Sequence, residues 1–213
     1  MPDELMEIVV KNPAFAEGEP IPAKYTADGE NVSPPLTWSG VPHRARSLAL
    51  LCDDPDAPRG TFTHWVVFNL PAQARQLEEG VPAREALPAG GAQGTNDFGR
   101  LGYGGPAGPP GRPRRYYFKV SALDAELPLA PGARRQEVVA AMEGHVVAEG
   151  WLMGTYRRAG GRAAFAYLFQ YPFSTRLASL IDPLLVLHEQ HADRPDPDPA
   201  PWEGRVLDED EHV

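Results

Sequence analysis

Phe62-Thr-His-Trp-Val-Val-Phe-Asn-Leu70 is a run of aromatic and β-branched residues closed by Pro71. Such residues fit a pleated, half-buried surface, and the proline ends the run, so the stretch reads as a strand. Two neighbours read the same way. Ser47-Leu-Ala-Leu-Leu-Cys52 is short and apolar and is bounded by charge and proline, and Tyr116-Tyr-Phe-Lys-Val-Ser-Ala-Leu123 repeats the aromatic and β-branched character. Between them lie stretches rich in Gly, Pro and Asn, notably Pro88 to Pro113. A connection that long inside a compact domain is usually functional. The best helix candidate runs from Arg134 to Glu149, where Val138, Met142, His145 and Val146 recur at helical spacing and Gly150 suits the exit. Trp151 to Tyr156 then resumes a strand-like pattern. Residues 1–160 are therefore expected to form one mostly β domain, a β-sandwich or related sheet packing with one or two short helices.

The totals agree with that reading. Of 213 residues, 21 are Gly and 24 are Pro, which together exceed the usual share of about 12% and favour turns and short strands. The net charge of −9 is uneven: residues 161–213 hold ten acidic and four basic side chains, leaving −3 for residues 1–160. No basic face argues for nucleic acid or an anionic membrane. A single cysteine, Cys52, excludes an internal disulfide framework and a cysteine-based zinc site, and it reads as a small buried thiol. The start, MPDELMEIVV, lacks a basic region followed by a long apolar one, so it does not read as a secretory signal. The uncharged apolar stretch Ala163 to Thr175 falls short of the roughly 18 residues a membrane span needs. A cytoplasmic location is expected. No repeat of about 20–50 residues recurs.

The C-terminal part differs. Residues 161–190 hold Leu177, Leu180, Ile181, Leu184 and Leu185 on a helical pattern interrupted at Pro183, an apolar extension that either packs poorly or covers the domain or a subunit interface. Residues 191–213, with DRPDPDPAPWEG and DEDEHV, form an acidic, proline-rich tail expected to be mobile.

Two segments carry candidate chemistry. Asp54-Pro-Asp-Ala-Pro58 follows one strand and His64-Trp65 opens the next. Two aspartates two residues apart in an extended segment would point the same way, and a carboxylate could hold a histidine opposite them, leaving one ring N–H for an anion. The other reading is a turn stapled by aspartate side chains, with His64 a satisfied core residue. The second segment is Gly94 to Tyr116, whose glycines let a backbone approach a ligand and whose end supplies Arg114, Arg115 and Tyr116. Alternation puts Arg114 and Tyr116 on one face and Arg115 on the other, so Arg114 is the arginine favoured for a pocket.

The order Asn31-Val-Ser-Pro-Pro-Leu-Thr-Trp38, Asp54-Pro-Asp-Ala-Pro58, His64-Trp65, Asn96-Asp-Phe-Gly99, Tyr103-Gly-Gly-Pro106, Arg115-Tyr116 and Gly144-His-Val-Val-Ala-Glu-Gly-Trp-Leu-Met-Gly-Thr-Tyr156 resembles the phosphatidylethanolamine-binding protein family. The resemblance is to its bacterial and archaeal, Raf-kinase-inhibitor-like branch, and it covers about residues 6–158. It implies a β-sandwich-like fold with an anion pocket. Carried over by position, Asp54, Asp56 and His64 would line one side with Pro58 at the rim, and Gly105, Pro109, Pro110 and Tyr116 the other. Members of the family bind phosphate, phospholipid head groups or similar anions there, and several inhibit kinases or proteases. The prokaryotic branch suggests a homodimer, which the extra tail could change. Two departures stand out. The family has His-Arg-Tyr where this chain has Arg114-Arg115-Tyr116, and Ala107-Gly108 makes the loop one residue longer. Arg114 either joins the pocket or forks onto Asp54 or Asp56 and closes it.

The leading expectation is a non-enzymatic, cofactor-free binding or regulatory protein for small anions or phosphate-bearing ligands. No Gly-x-Ser-x-Gly elbow, P-loop or dinucleotide fingerprint is present. A metal-dependent phosphoester hydrolase built on Asp54, Asp56 and His64 is the enzymatic alternative, although metal sites usually need three or four convergent ligands and only three can be named. A kinase or protease inhibitory module acting through its surface is the third, with no target named by the sequence.

Overall fold

In the computed structural model the described residues are 6–158, so the expected extension 161–190 and tail 191–213 lie outside them. Among the described residues the strands are β1 (Met6–Glu7), β2 (Val9–Lys11), β3 (Leu36–Ser39), β4 (Ser47–Asp54) and β5 (Phe62–Pro71). They continue with β6 (Gln76–Leu77), β7 (Ala92–Thr95), β8 (Arg114–Leu123), β9 (Gly132–Arg134) and β10 (Val146–Tyr156). One α-helix, α1 (Arg135–Met142), and one 3₁₀ turn (Ala23–Tyr25) accompany them. The larger sheet runs β1-β10-β8-β4-β5-β7-β9 and the smaller β2-β3-β6. The mostly β, two-sheet expectation with short helices is what the fold shows.

The run read first, Phe62–Leu70, lies within β5, and β4 beside it is almost wholly buried. Both are apolar nearly throughout because the sheet is covered on both faces. On one face Leu48, Leu50, Cys52, Trp65, Val67, Phe118 and Val120 pack with Val10, Leu36, Trp38 and Leu77 of the smaller sheet. On the other, Ala49, Leu51, Val66 and Phe68 pack with Leu127, Val138 and Met142. Truncating a ring such as Phe118, fully buried in the first core, would cost about 3–5 kcal/mol. Cys52 is fully buried, and burial pushes its thiol pKa well up.

Two sequence expectations are corrected. The helix stops at Met142 rather than reaching Glu149. Gly144 adopts φ +81, a left-handed conformation that ends a helix, and Val146 belongs to β10. Gly150 is not a helix exit. It sits mid-strand, where a Cβ would lie 1.7 Å from the Ile8 carbonyl oxygen, so its missing side chain lets the N-terminal segment lie against β10. The helix start is capped from within, Glu137 Oε2 accepting the Arg134 N–H at 2.7 Å. Arg135 Nε then donates to Asp53 Oδ2 at 2.9 Å, tying α1 to β4. The second correction concerns Pro88 to Pro113, which is not a continuous loop: β7 runs through it and pairs with β5.

Candidate functional site

The pairing of β4 with β5 places the first site residue. Cys52 is opposite Trp65 and Asp53 is opposite Thr63, which leaves His64 as an extra residue on β5. Such a bulge re-aims a side chain, and here it brings the imidazole against Tyr116 of β8, ring centroids 5.1 Å apart at 79°. Phe98 and Phe62 meet the same imidazole at 5.4 Å and 5.1 Å. His64 is 2% exposed. Its Nδ1 donates to the Gly104 carbonyl at 2.6 Å. The ring is thus held by a backbone carbonyl and not by a carboxylate, as the sequence had suggested. Burial lowers its pKa below the ordinary 6.5, while the Gly104 backbone, then Asp54 and the Gly105 backbone, pull the other way.

Asp54 ends β4 and is 1% exposed. Its Oδ1 accepts the Asp56 N–H at 2.9 Å, an Asx-type turn, and its Oδ2 accepts Arg114 Nη1 at 3.2 Å. That turn explains why the two aspartates do not point the same way: the chain reverses at Pro55–Asp56 and leaves extended geometry. Asp56 faces outward instead. It accepts Arg115 Nε at 2.9 Å, Arg115 Nη2 at 2.6 Å and the Arg115 backbone N–H at 2.9 Å. This fork holds the Asp56 carboxyl below the usual range.

Asp54, Ala57, Pro58, Phe62, His64, Phe98, Ala107, Gly108, Pro109 and Arg114 line a cavity of about 230 Å³. A wider groove of about 500 Å³ adjoins it through the shared Pro109 and Arg114, and carries Asp56, Pro110 and Arg115. Of the residues singled out in the sequence, Asp54, Pro58, His64, Pro109 and Arg114 therefore meet at the cavity. Asp56 and Pro110 belong to the groove. Tyr116 lies behind His64, 1% exposed, its phenol pKa raised by burial and then by Asp54. Gly105 packs behind the wall, its N–H on Asn31 Oδ1 at 2.7 Å, where a Cβ would lie 2.3 Å from the Tyr25 carbonyl oxygen. Arg115 points away from the cavity, as strand alternation requires.

Several participants carried no role in the sequence reading. Phe98 is placed by Asn96, which is 1% exposed, accepts the Phe98 N–H at 3.0 Å and donates to the Gly102 carbonyl at 2.9 Å. Phe62 shares a strand with His64, and its aromatic character was the only available signal. Gly108 lies over the Arg114 guanidinium, a Cβ there being 3.1 Å from Cζ. The Ala107-Gly108 loop and Arg114 thus meet at one place.

Chemically, the cavity offers one guanidinium, one imidazole and one carboxylate among apolar and aromatic walls. Arg114 spends a single N–H on Asp54, so the pair is not the closed fork that two parallel bonds would make. The hydrolase alternative needs Asp54, Asp56 and His64 around one ion. Among the described residues no three His, Cys, Asp or Glu side chains are grouped to hold a metal, and Asp56 is committed to Arg115. No helix among the described residues is long and apolar enough to cross a membrane.

The family profile described as "Phosphatidylethanolamine-binding protein" matches residues 11–157. A "UPF0098 protein" of Methanothermobacter thermautotrophicus is 55% identical over 149 residues, covering 70% of this chain and 98% of that protein. Another "UPF0098 protein", from Aquifex aeolicus, is 47% identical over 156 residues, covering 72% and 90%. Among solved structures, Escherichia coli YbcL, described as a member of the mammalian PEBP family, superposes with a TM-score of 0.66 at 34% identity, covering 71% of this chain and 99% of its own. The Chlamydia trachomatis PEBP homologue CT736 gives 0.65 at 39% identity, covering 71% and 98%.

Proposed function

The chain belongs to the phosphatidylethanolamine-binding protein family, and from that premise we propose that it is a non-catalytic binding protein whose cavity takes small phosphate-bearing anions. The observation that carries the reading is the convergence of Arg114, Asp54 and His64 on one cavity of about 230 Å³. Arg114 retains guanidinium N–H groups beyond the one it gives Asp54. A guanidinium suits phosphate geometry, and charge-assisted hydrogen bonds are worth roughly 1.5–3 kcal/mol each. The walls of Phe62, Phe98, Pro58 and Pro109 lower the local dielectric and strengthen such contacts. Asp54, placed beside the cation, favours a ligand that also presents a donor, as an amine or a protonated oxygen would.

The adjoining groove gives a bound head group a route outward along Pro109 and Pro110, which fits an anion carried on a larger molecule. A role as a regulator of another protein would use that exposed rim.

The test is calorimetric titration with inorganic phosphate and with phosphoethanolamine, on the wild type and on an Asp54→Ala, His64→Ala double variant. Binding that disappears in a folded double variant supports the reading. Equal binding by both proteins overturns it.

A further inference from the structure

The segment carrying Gly104 and Gly105 is clamped on both sides. Gly104 donates its N–H to the His64 carbonyl at 2.9 Å and accepts the His64 Nδ1 proton at 2.6 Å. Facing it, Asn31 Oδ1 accepts the Gly105 N–H at 2.7 Å, the Ala27 N–H donates to the Pro106 carbonyl at 2.9 Å, and the Tyr103 hydroxyl donates to the Tyr25 carbonyl at 2.7 Å. Asn31 is held for this task. Its backbone adopts φ +58, and its own N–H reaches the Lys24 carbonyl at 3.0 Å. Asparagine tolerates that left-handed conformation where most residues do not. With Gly105 tightly fitted against Tyr25 and Thr26, the Asn31 carbonyl is the side-chain acceptor that takes the Gly105 N–H and so helps register this segment against His64.

A carbonyl oxygen only accepts, so the Gly104 bond fixes a proton on His64 Nδ1. In the neutral ring Nε2 then holds the lone pair, and because His64 lines the cavity this is the nitrogen that would meet a ligand there. A fully deprotonated oxyanion would set lone pair against lone pair there. A ligand oxygen bearing a proton would donate to Nε2, or the ring would gain a proton as a dianion arrives. The groups acting on the ring are Asp53 and Asp54 from β4, Arg114 and Tyr116 from β8, and the uncharged Gly104–Gly105 backbone, with the Asp53 carboxylate itself turned to Thr63 and Arg135. The two aspartates favour a proton at this position and Arg114 opposes it.

We propose that Asn31 is a positioning residue for the pocket: through Gly105 and Gly104 it holds His64 in the Nδ1–H tautomer, so the cavity takes a phosphate-bearing ligand together with one proton. The inference rests on the pocket reading above. It makes the bound species a monoprotonated phosphate, or a dianion neutralised by proton uptake.

The test uses the full chain and phosphoethanolamine. A phosphomonoester loses its second proton near pH ~6, so at pH 8 the free ligand carries a dianionic phosphate. Calorimetry at pH 8 in two buffers of different ionisation enthalpy reads the protons exchanged, and ¹⁵N spectra of the unliganded protein read the His64 tautomer. The wild type is expected to take up close to one proton per ligand and to show His64 protonated at Nδ1. Asn31→Gly keeps the backbone conformation and removes the acceptor, and the loss of one buried hydrogen bond should weaken binding about tenfold and mix the tautomers. Asn31→Asp restores an acceptor and should recover both readouts. Wild-type binding without proton uptake overturns the protonated-ligand claim and leaves the pocket standing. An Asn31→Gly variant with wild-type affinity and tautomer overturns the positioning role. A wild type that binds no phosphoethanolamine overturns the pocket reading itself, and the spectra still decide whether Asn31 holds the ring.

Discussion

Arg114 and Asp54 are joined by one hydrogen bond, Nη1 to Oδ2 at 3.2 Å, with the Arg114 side chain 16% exposed and that of Asp54 2%. The arrangement is that of a carboxylate buried beside a cation that still has donors to give. Arg114→Ala would take the cation from the buried Asp54 carboxyl, which keeps the Asp56 N–H, and should cost about 1–3 kcal/mol of stability. It should also weaken phosphoethanolamine binding roughly 10–100-fold, the equivalent of one charge-assisted contact. Thermal unfolding and calorimetry of the same preparation check both figures.

Arginine keeps its charge through the physiological range whereas histidine titrates near 6.5. Binding between pH 6 and pH 8 should therefore follow one proton at most in the wild type, an affinity change no steeper than about tenfold per pH unit. Arg114→His should steepen that dependence, because a second titrating ring joins the first. Titrations at pH 6 and pH 8 on both proteins read it; equal slopes would contradict the account.

His64 has a lowered pKa in the folded state because burial disfavours its charged form. The unfolded chain then binds the proton more readily, so this residue's contribution to stability is present above about pH 6.5 and is lost as pH falls below it. His64→Gln should lose less stability than the wild type between pH 7 and pH 5. Urea midpoints at the two pH values give the comparison.

The sign for Asp56 follows the same linkage. Its folded pKa is lowered, first by the Arg115 side-chain hydrogen bond, so its stabilisation is present above about pH 4 and disappears as pH falls through the lower folded value. Arg115→Ala should melt below the wild type at pH 6, and the gap should close under acid. A gap that is constant down to pH 3 would show that the loss is one of packing alone.

Gly150→Ala tests the fold correction. With a Cβ 1.7 Å from the Ile8 carbonyl oxygen, the N-terminal segment must move away from β10, at a cost on the order of 3 kcal/mol. Chemical denaturation measures it.

How far the sequence could be read depended on where the signal lay. β5 was legible because Trp65, Val66, Val67 and Phe68 are buried on both faces of a covered sheet, which demands an unbroken apolar run. The helix was over-extended because Val146 falls on the same spacing as Val138 and Met142, and spacing alone does not register that Gly144 turns left-handed. Arg114 and Arg115 were separable by strand alternation. Asp56 was not, since the Asp54 side chain that caps its N–H reverses the chain at that point. The partner of His64 left no trace in the sequence at all: a backbone carbonyl at Gly104 is an acceptor whatever residue carries it. Asn31 and Phe98 sat inside quoted motifs, yet nothing in their identity said what they would touch.

One cavity, bounded by Asp54, His64, Phe98 and Arg114, is the proposed seat of the anion. The most direct measurement is a titration of the isotopically labelled full chain with phosphoethanolamine, followed by amide and side-chain chemical shifts. Saturable shifts centred on residues 54–64, 96–98 and 104–116 are expected. Saturable shifts centred instead on the exposed groove around Trp151 and Lys119, or no shifts at millimolar ligand, would overturn that site.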